Sequence, residues 1–131
     1  MAGWKAAIPY PTWPKMNGVW MPDNMFTLEP AWLNIIENKS LIHFVHRMLG
    51  YLVFFYTVSI SLKMSTIPKG PIFHRARWTL MGFASLQVLL GILTVINSRG
   101  GVPVGLGVLH QAGAFLLLLN LVYLHYVYKY R

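Results

Sequence analysis

The residues best suited to chemistry in this sequence are histidines that lie inside apolar stretches. His43, His46 and Arg47 lie near the start of the first such stretch, and His110 lies near the start of the third. Ionisable side chains inside a membrane segment are costly to bury and usually serve a function. Imidazoles that approach from two different helices are a common ligand set for haem iron in helical bundles. The pattern therefore predicts a haem site held by two histidines.

His46 and His110 are the best candidates for this pair because they lie at one depth. The first and third stretches run in the same direction across a membrane. A rise of about 1.5 Å per residue over about five or six residues places both histidines roughly 8–9 Å below the membrane boundary. We therefore predict that His46 and His110 bind the haem iron from opposite faces.

Glycines near the two histidines predict room for a flat ligand. Gly50 follows His46 by four residues, whereas Gly107 and Gly113 lie three residues before and after His110. Residues three or four apart are neighbours on a helix surface. All three glycines are therefore predicted to face the porphyrin.

Arg47 and His43 complete the predicted binding site. Arg47 could give a haem propionate a charge-assisted hydrogen bond, for which Lys39 and Arg99 are weaker candidates. His43 lies one turn before His46 on the same face, so it could be the ligand instead, bind a propionate, or act as an acid or base.

A structural role is the alternative for each polar residue in these stretches. A single membrane histidine often forms a hydrogen bond between helices. The same interpretation is preferred over iron ligation for three amide side chains: Gln87, Asn97 and Asn120. The glycines of the second stretch, Gly82 and Gly91, are interpreted as packing residues.

Three apolar stretches must position the candidate residues, and each is long enough to cross a membrane, which takes about 20 helical residues. They span residues 41–62, 76–96 and 104–128. Only 11% of the 131 residues are charged, against about 25% in soluble domains. The fold class predicted is an all-α membrane protein, with a transmembrane bundle over residues 41–131 and an interfacial segment over residues 1–40.

The net charge of +8 is explained better by membrane topology than by binding to a nucleic acid, because the basic residues flank the apolar stretches. Cytoplasmic or matrix-side segments are enriched in Lys and Arg. Asp23, Glu29 and Glu37 are the only acids, and all precede the first stretch. The N-terminal segment is therefore predicted to lie on the outer side. The predicted inner side carries these basic residues: Lys63, Lys69, Arg75, Arg77, Lys129 and Arg131.

The N-terminal segment is too rich in proline to span a bilayer, and no secretory signal is recognisable in it. Pro30 could open a short helix that rests on the membrane surface. Aromatic rings of tryptophan concentrate at headgroup depth. The segment holds four of the five tryptophans: Trp4, Trp13, Trp20 and Trp32. Because the chain has no cysteine, a disulfide framework, a thiolate zinc site and an iron–sulfur cluster are excluded.

Three blocks of the sequence resemble the C-terminal half of haem A synthase of the mitochondrial and proteobacterial type. They are YPTWPKMNGVWMPDNMF followed by ENKSLIHFVHRMLG, then LQVLLGILTV, and then VPVGLGVLHQAGAFLLL. The resemblance implies a four-helix bundle, of which three helices are present, that holds haem b between the positions of His46 and His110. It further implies the oxidation of a methyl group of haem O to the formyl group of haem A for cytochrome oxidase.

The resemblance also implies that a separate N-terminal bundle handles haem O. In that bundle the family has a carboxylate three residues before its HR histidine, whereas His43 stands at this position here, so no catalytic residue is identified. We therefore expect a split enzyme whose partner membrane chain supplies the missing helix and the N-terminal half. The alternative is an accessory subunit of a respiratory-chain complex. Either would lie in the mitochondrial inner membrane or bacterial plasma membrane, with the N-terminus on the intermembrane-space or periplasmic side.

Overall fold

The computed structural model describes residues 5–130, whose regular structure is helical. Three long helices are each long and apolar enough to cross a membrane, which confirms the predicted all-α membrane fold. They follow an N-terminal segment, residues 5–38, that contains only short helices. In chain order the elements are a 3₁₀ turn at Asp23–Phe26, α1 at Leu33–Ile36, α2 at Lys39–Lys63, a 3₁₀ turn at Met64–Thr66, α3 at Pro71–Ile96 and α4 at Val104–Tyr130.

The helices start where the local sequence supports a start. The side-chain oxygen of Asn38 accepts hydrogen bonds from the backbone N–H groups of Ser40 at 3.0 Å and Leu41 at 3.2 Å, so it caps α2. α3 begins at Pro71, five residues before the predicted start of the second stretch. Proline is favoured in the first turn because its fixed backbone angle suits a helix and its missing N–H is not needed there. The predicted start was later because the prolines and charged residues of the linker are not typical of an apolar membrane stretch.

The closest packing lies at one end of the bundle, which we call the lower end. Here Phe73, Ala76 and Leu80 of α3 pack against Leu124 and Val127 of α4. The lower end also contains the predicted inner-side basic residues of the first linker. At the opposite, upper end α2 and α4 begin, and the helices separate around a cavity. The fold therefore combines a compact lower half with an open upper half.

Two basic residues join the elements of the lower end. The Nζ of Lys69, in the linker, donates to the backbone oxygen of Tyr128 at 2.8 Å. The Nη1 of the buried Arg77 donates to the backbone oxygen of Ser61 at 2.8 Å, which ties α3 to α2. Two of the basic residues that were used to predict topology therefore also stabilise the packing of the lower end.

The N-terminal segment is folded against the start of α2. Met16 and Val19 exchange backbone hydrogen bonds at 2.8 and 3.3 Å around the turn at Asn17 and Gly18. Both turn residues have positive φ, +52° and +91°, as a tight hairpin turn of the mirror-image type requires. Trp13, Trp20 and Trp32 keep exposed rings, so an interfacial position stays a prediction for them. Trp4 lies outside the described residues.

Candidate functional site

A cavity of about 530 Å³ lies in the upper half of the bundle, bounded by α2, α3 and α4. α3 contacts both other long helices. The N-terminal segment contributes Ala7 and Trp13 to the lining, so it covers part of the cavity. Most lining side chains are apolar, which gives the cavity the character of a small-molecule or cofactor site.

The structure brings His46 and His110 together in this cavity. Their ring centroids are 6.2 Å apart, and the ring planes are inclined at 69°. The two histidines come from α2 and α4, as the depth argument predicted. Among residues 5–130, no three His, Asp or Glu side chains come close enough to hold a metal ion.

Two of the three predicted glycines line the cavity, and the third does not. Gly50 and Gly107 are lining residues. Gly113 is instead buried against α3, where an added Cβ would lie 2.5 Å from the side-chain oxygen of Gln87. The prediction for Gly113 is wrong because its side of α4 packs against Gln87 and Leu90 of α3 and does not face the cavity.

Gly91 of α3 is a third glycine beside the cavity. It lines the cavity, and a Cβ added to it would lie 3.1 Å from Cε1 of His110. The absence of a side chain at Gly91 therefore lets the His110 ring lie close to α3. The sequence interpretation of Gly91 as a packing residue was correct, but the group that packs on it is a candidate ligand.

Arg47 has different partners from the predicted haem propionate. Its Nη1 donates to the backbone oxygens of Pro14 at 3.1 Å and Lys15 at 3.4 Å. Its Nη2 donates to the backbone oxygens of Tyr10 at 3.1 Å and Thr12 at 2.7 Å. The predicted role differs from this arrangement because the sequence did not show that the N-terminal segment folds back over α2. Arg47 anchors that segment to the bundle.

His43 accepts the remaining guanidinium hydrogen bond. The Nε of Arg47 donates to Nε2 of His43 at 2.9 Å, and the His43 side chain is fully buried. Because an arginine only donates, the lone pair of Nε2 is occupied. This geometry favours His46 over His43 as the partner of His110, although His43 also lines the cavity.

Gln87 is a site residue that the sequence predicted only as an interhelical hydrogen-bonding group. Its side-chain nitrogen donates to the backbone oxygen of His110 at 2.9 Å and lies 3.2 Å from Nδ1 of the same residue. The prediction of an interhelical hydrogen bond is confirmed for Gln87 and for Asn120, which donates to the hydroxyl of Thr79. It is wrong for Asn97, which donates to Leu93 within its own helix.

Comparison with known proteins identifies the family. Residues 1–122 match the family described as cytochrome oxidase assembly protein. The chain is 37% identical over 120 residues to a heme A synthase of Rhizobium meliloti and 37% identical over 118 residues to one of Brucella anthropi. Each alignment covers 90% of this chain. The chain belongs to the haem A synthase family of cytochrome oxidase assembly proteins.

Within this family the chain corresponds to only part of the relatives. The same alignments cover 31% and 32% of the two relatives, so the chain spans about a third of their length. A heme A synthase of Bartonella bacilliformis is 36% identical over 119 residues, with 32% of that protein covered. No solved structure matches the chain. The cavity, with its two histidines, lies within the part that is shared with the haem A synthase family.

The cavity is open on one side. Leu49 and Val53 of α2 line it, yet they are 55% and 49% exposed. Apolar side chains at the mouth of an apolar cavity in a membrane bundle can face lipid or another helix. The three helices therefore enclose the space between His46 and His110 only in part.

Proposed function

We propose that the chain is the haem b-binding half of a haem A synthase, in which His46 and His110 would hold the haem iron. The observation that carries this proposal is the 6.2 Å separation of the two ring centroids across the cavity. Imidazole nitrogens bind metals at about 2.0–2.1 Å, so two rings with centroids 6.2 Å apart would leave room for one metal atom between them. The observed spacing fits one iron between the rings.

The rest of the cavity also fits a porphyrin. Its volume of about 530 Å³ and its mainly apolar lining suit a large flat apolar cofactor. Gly50 and Gly107 contribute no side chains to its walls. When bound, a haem supplies an iron that exchanges single electrons. The chain's own contribution is to hold that iron, exclude water with its apolar walls, and cover the upper end with the segment that Arg47 anchors.

The activity that we propose for the complete assembly is the oxidation of haem O to haem A. We infer that a partner membrane chain supplies a fourth helix and the half that handles the substrate. One observation supports this inference: the cavity is open at Leu49 and Val53. We propose that the assembly lies in the mitochondrial inner membrane or bacterial plasma membrane. The basic lower end supports an N-terminus on the outer side.

A second proposal is an accessory, haem-holding role in a respiratory-chain complex. It is favoured by the positions of the acids, since Asp23, Glu29 and Glu37 all precede α2 and none lies in a long helix. Identification of the chains that co-purify separates the two proposals. A partner with its own histidine-bearing bundle supports the synthase, whereas subunits of a respiratory complex support the accessory role.

Haem content tests the site that both proposals share. We expect protein purified from membranes to show a reduced-minus-oxidised spectrum of haem b and to yield haem b on extraction. His46→Ala and His110→Ala should each lose most of this haem, because a single axial bond holds it poorly. His125→Ala is the matched control, since this exposed histidine lies near the lower end of α4, and it should keep the wild-type content. Unchanged haem in both site variants contradicts the proposal.

A further inference from the structure

Two residues on one face of α3 contact His110. Gln87 and Gly91 are four residues apart, so they lie one above the other on the helix. Gly91 lies beneath the His110 ring, at a distance where an added methyl group would press on Cε1. The Gln87 amide lies against both the ring and the backbone oxygen of His110. α3 thus contacts His110 both at its ring and at its backbone oxygen.

The orientation of the Gln87 amide follows from its partners. Its nitrogen is 2.9 Å from the backbone oxygen of His110, a distance that suits a donor and an acceptor. Exchanging the amide nitrogen and oxygen would set two acceptors against each other. The amide oxygen lies over Gly113 of α4, is buried, and has no hydrogen-bond partner within residues 5–130.

We propose that Gln87 is a positioning residue that sets the plane of the His110 imidazole toward the haem iron. This proposal rests on the proposed function, in which His110 is an axial ligand. A histidine that binds metal is held in orientation by residues that do not themselves touch the metal. Gln87 can hold His110 in this way through its hydrogen bond to the backbone oxygen and through the contact of its amide nitrogen with the ring, 3.2 Å from Nδ1 and 3.4 Å from Nε2.

The matched experiment compares two amides that both join α3 and α4. Gln87→Met keeps the size of the side chain and removes its hydrogen bonds to His110. Asn120→Leu removes the 2.7 Å hydrogen bond to Thr79, which lies away from the cavity lining. The readouts are haem content, the midpoint potential, and the electron paramagnetic resonance (EPR) spectrum of the ferric protein, whose g-values depend on the angle between the two imidazole planes.

We expect Gln87→Met to keep haem but to show shifted g-values and a shifted potential, whereas Asn120→Leu retains the wild-type values of both. Wild-type g-values and potential in haem-loaded Gln87→Met overturn the proposal. Equal shifts in both variants also overturn it, because they indicate a general effect of loosening the two helices.

If Gln87→Met loses its haem, Gly113→Ala decides the question. An added Cβ there lies 2.5 Å from the Gln87 oxygen and so displaces the amide without changing Gln87 itself. Shifted g-values in Gly113→Ala support the proposal, and wild-type values overturn it. Failure of the proposed function is recognised separately, since His110→Ala would then keep the haem of the wild-type protein.

Discussion

Arg47 has the densest set of polar contacts of any single residue around the cavity. The five N–H groups that an arginine carries have five acceptors here: four backbone oxygens between Tyr10 and Lys15, and Nε2 of His43. A guanidinium with every donor satisfied can be buried at low cost. One residue of α2 therefore holds residues 10–15 of the N-terminal segment against the bundle.

This arrangement predicts a local effect of Arg47→Leu. The substitution leaves backbone oxygens of the N-terminal segment without their donor, at a cost of about 1.5–3 kcal/mol for hydrogen bonds to a charged group. We expect faster proteolysis within residues 5–38 while the helical circular dichroism is kept. Arg75→Leu is the control, since this exposed arginine lies at the lower end. Equal cleavage rates for wild type and Arg47→Leu would show that Arg47 does not anchor the segment.

The histidines show what residue spacing can and cannot predict. Counting residues from the helix starts placed His46 and His110 at one depth, because the rise per residue is nearly constant. The choice between His43 and His46 stayed open, since both lie on one face of α2. It depended on Arg47, whose contacts with the distant Pro14 and Thr12 could not be read from local spacing.

At the scale of the elements, α3 is the helix on which the site is built. It contacts both α2 and α4 and carries Gly91 and Gln87 against His110. The long apolar stretch predicted α3 as a helix but not its rotation about its own axis. A helix that is apolar nearly all round has no preferred face in sequence. The contacts of Gly91 with His110 and of Gly113 with Gln87 could therefore be identified only from the packing of the helices.

Two glycines of α3 give a matched test of this helix. Gly91→Ala should displace the His110 ring by a few tenths of an ångström and weaken haem retention, at a cost of about 1–3 kcal/mol typical of overpacking. Gly82→Ala meets no atom within 4 Å, so it should leave haem retention unchanged and slightly favour the helix. Haem release measured by transfer to an acceptor protein compares the two. Identical release rates would contradict a tight contact between Gly91 and His110.

At the scale of the whole molecule, the two halves of the bundle differ in packing. The lower half has an apolar core, whereas the upper half surrounds a cavity that is open at Leu49 and Val53. The number and length of the membrane helices followed from composition and apolar runs. The open side of the cavity could not be predicted in this way, because the sequence of one helix does not show which of its faces lacks a neighbouring helix.

Cross-linking tests whether a partner chain covers this open side. The chain has no cysteine, so Leu49→Cys and Leu62→Cys each introduce a unique thiol. Both leucines lie on α2 and both are 55% exposed, but only Leu49 lines the cavity. In native membranes we expect a short thiol-reactive cross-linker to join Leu49→Cys to a second chain several times more efficiently than Leu62→Cys. The absence of an adduct, or equal yields at both positions, would contradict the proposed partner chain.

We propose that His46 and His110 ligate one haem iron, and the spin state of the bound haem is the test of this claim. We expect the ferric wild-type protein to be low-spin. Haem that remains in His46→Ala or His110→Ala should be high-spin, and added imidazole should restore the low-spin state by filling the vacant position. A low-spin spectrum in either variant without added imidazole would contradict the claim.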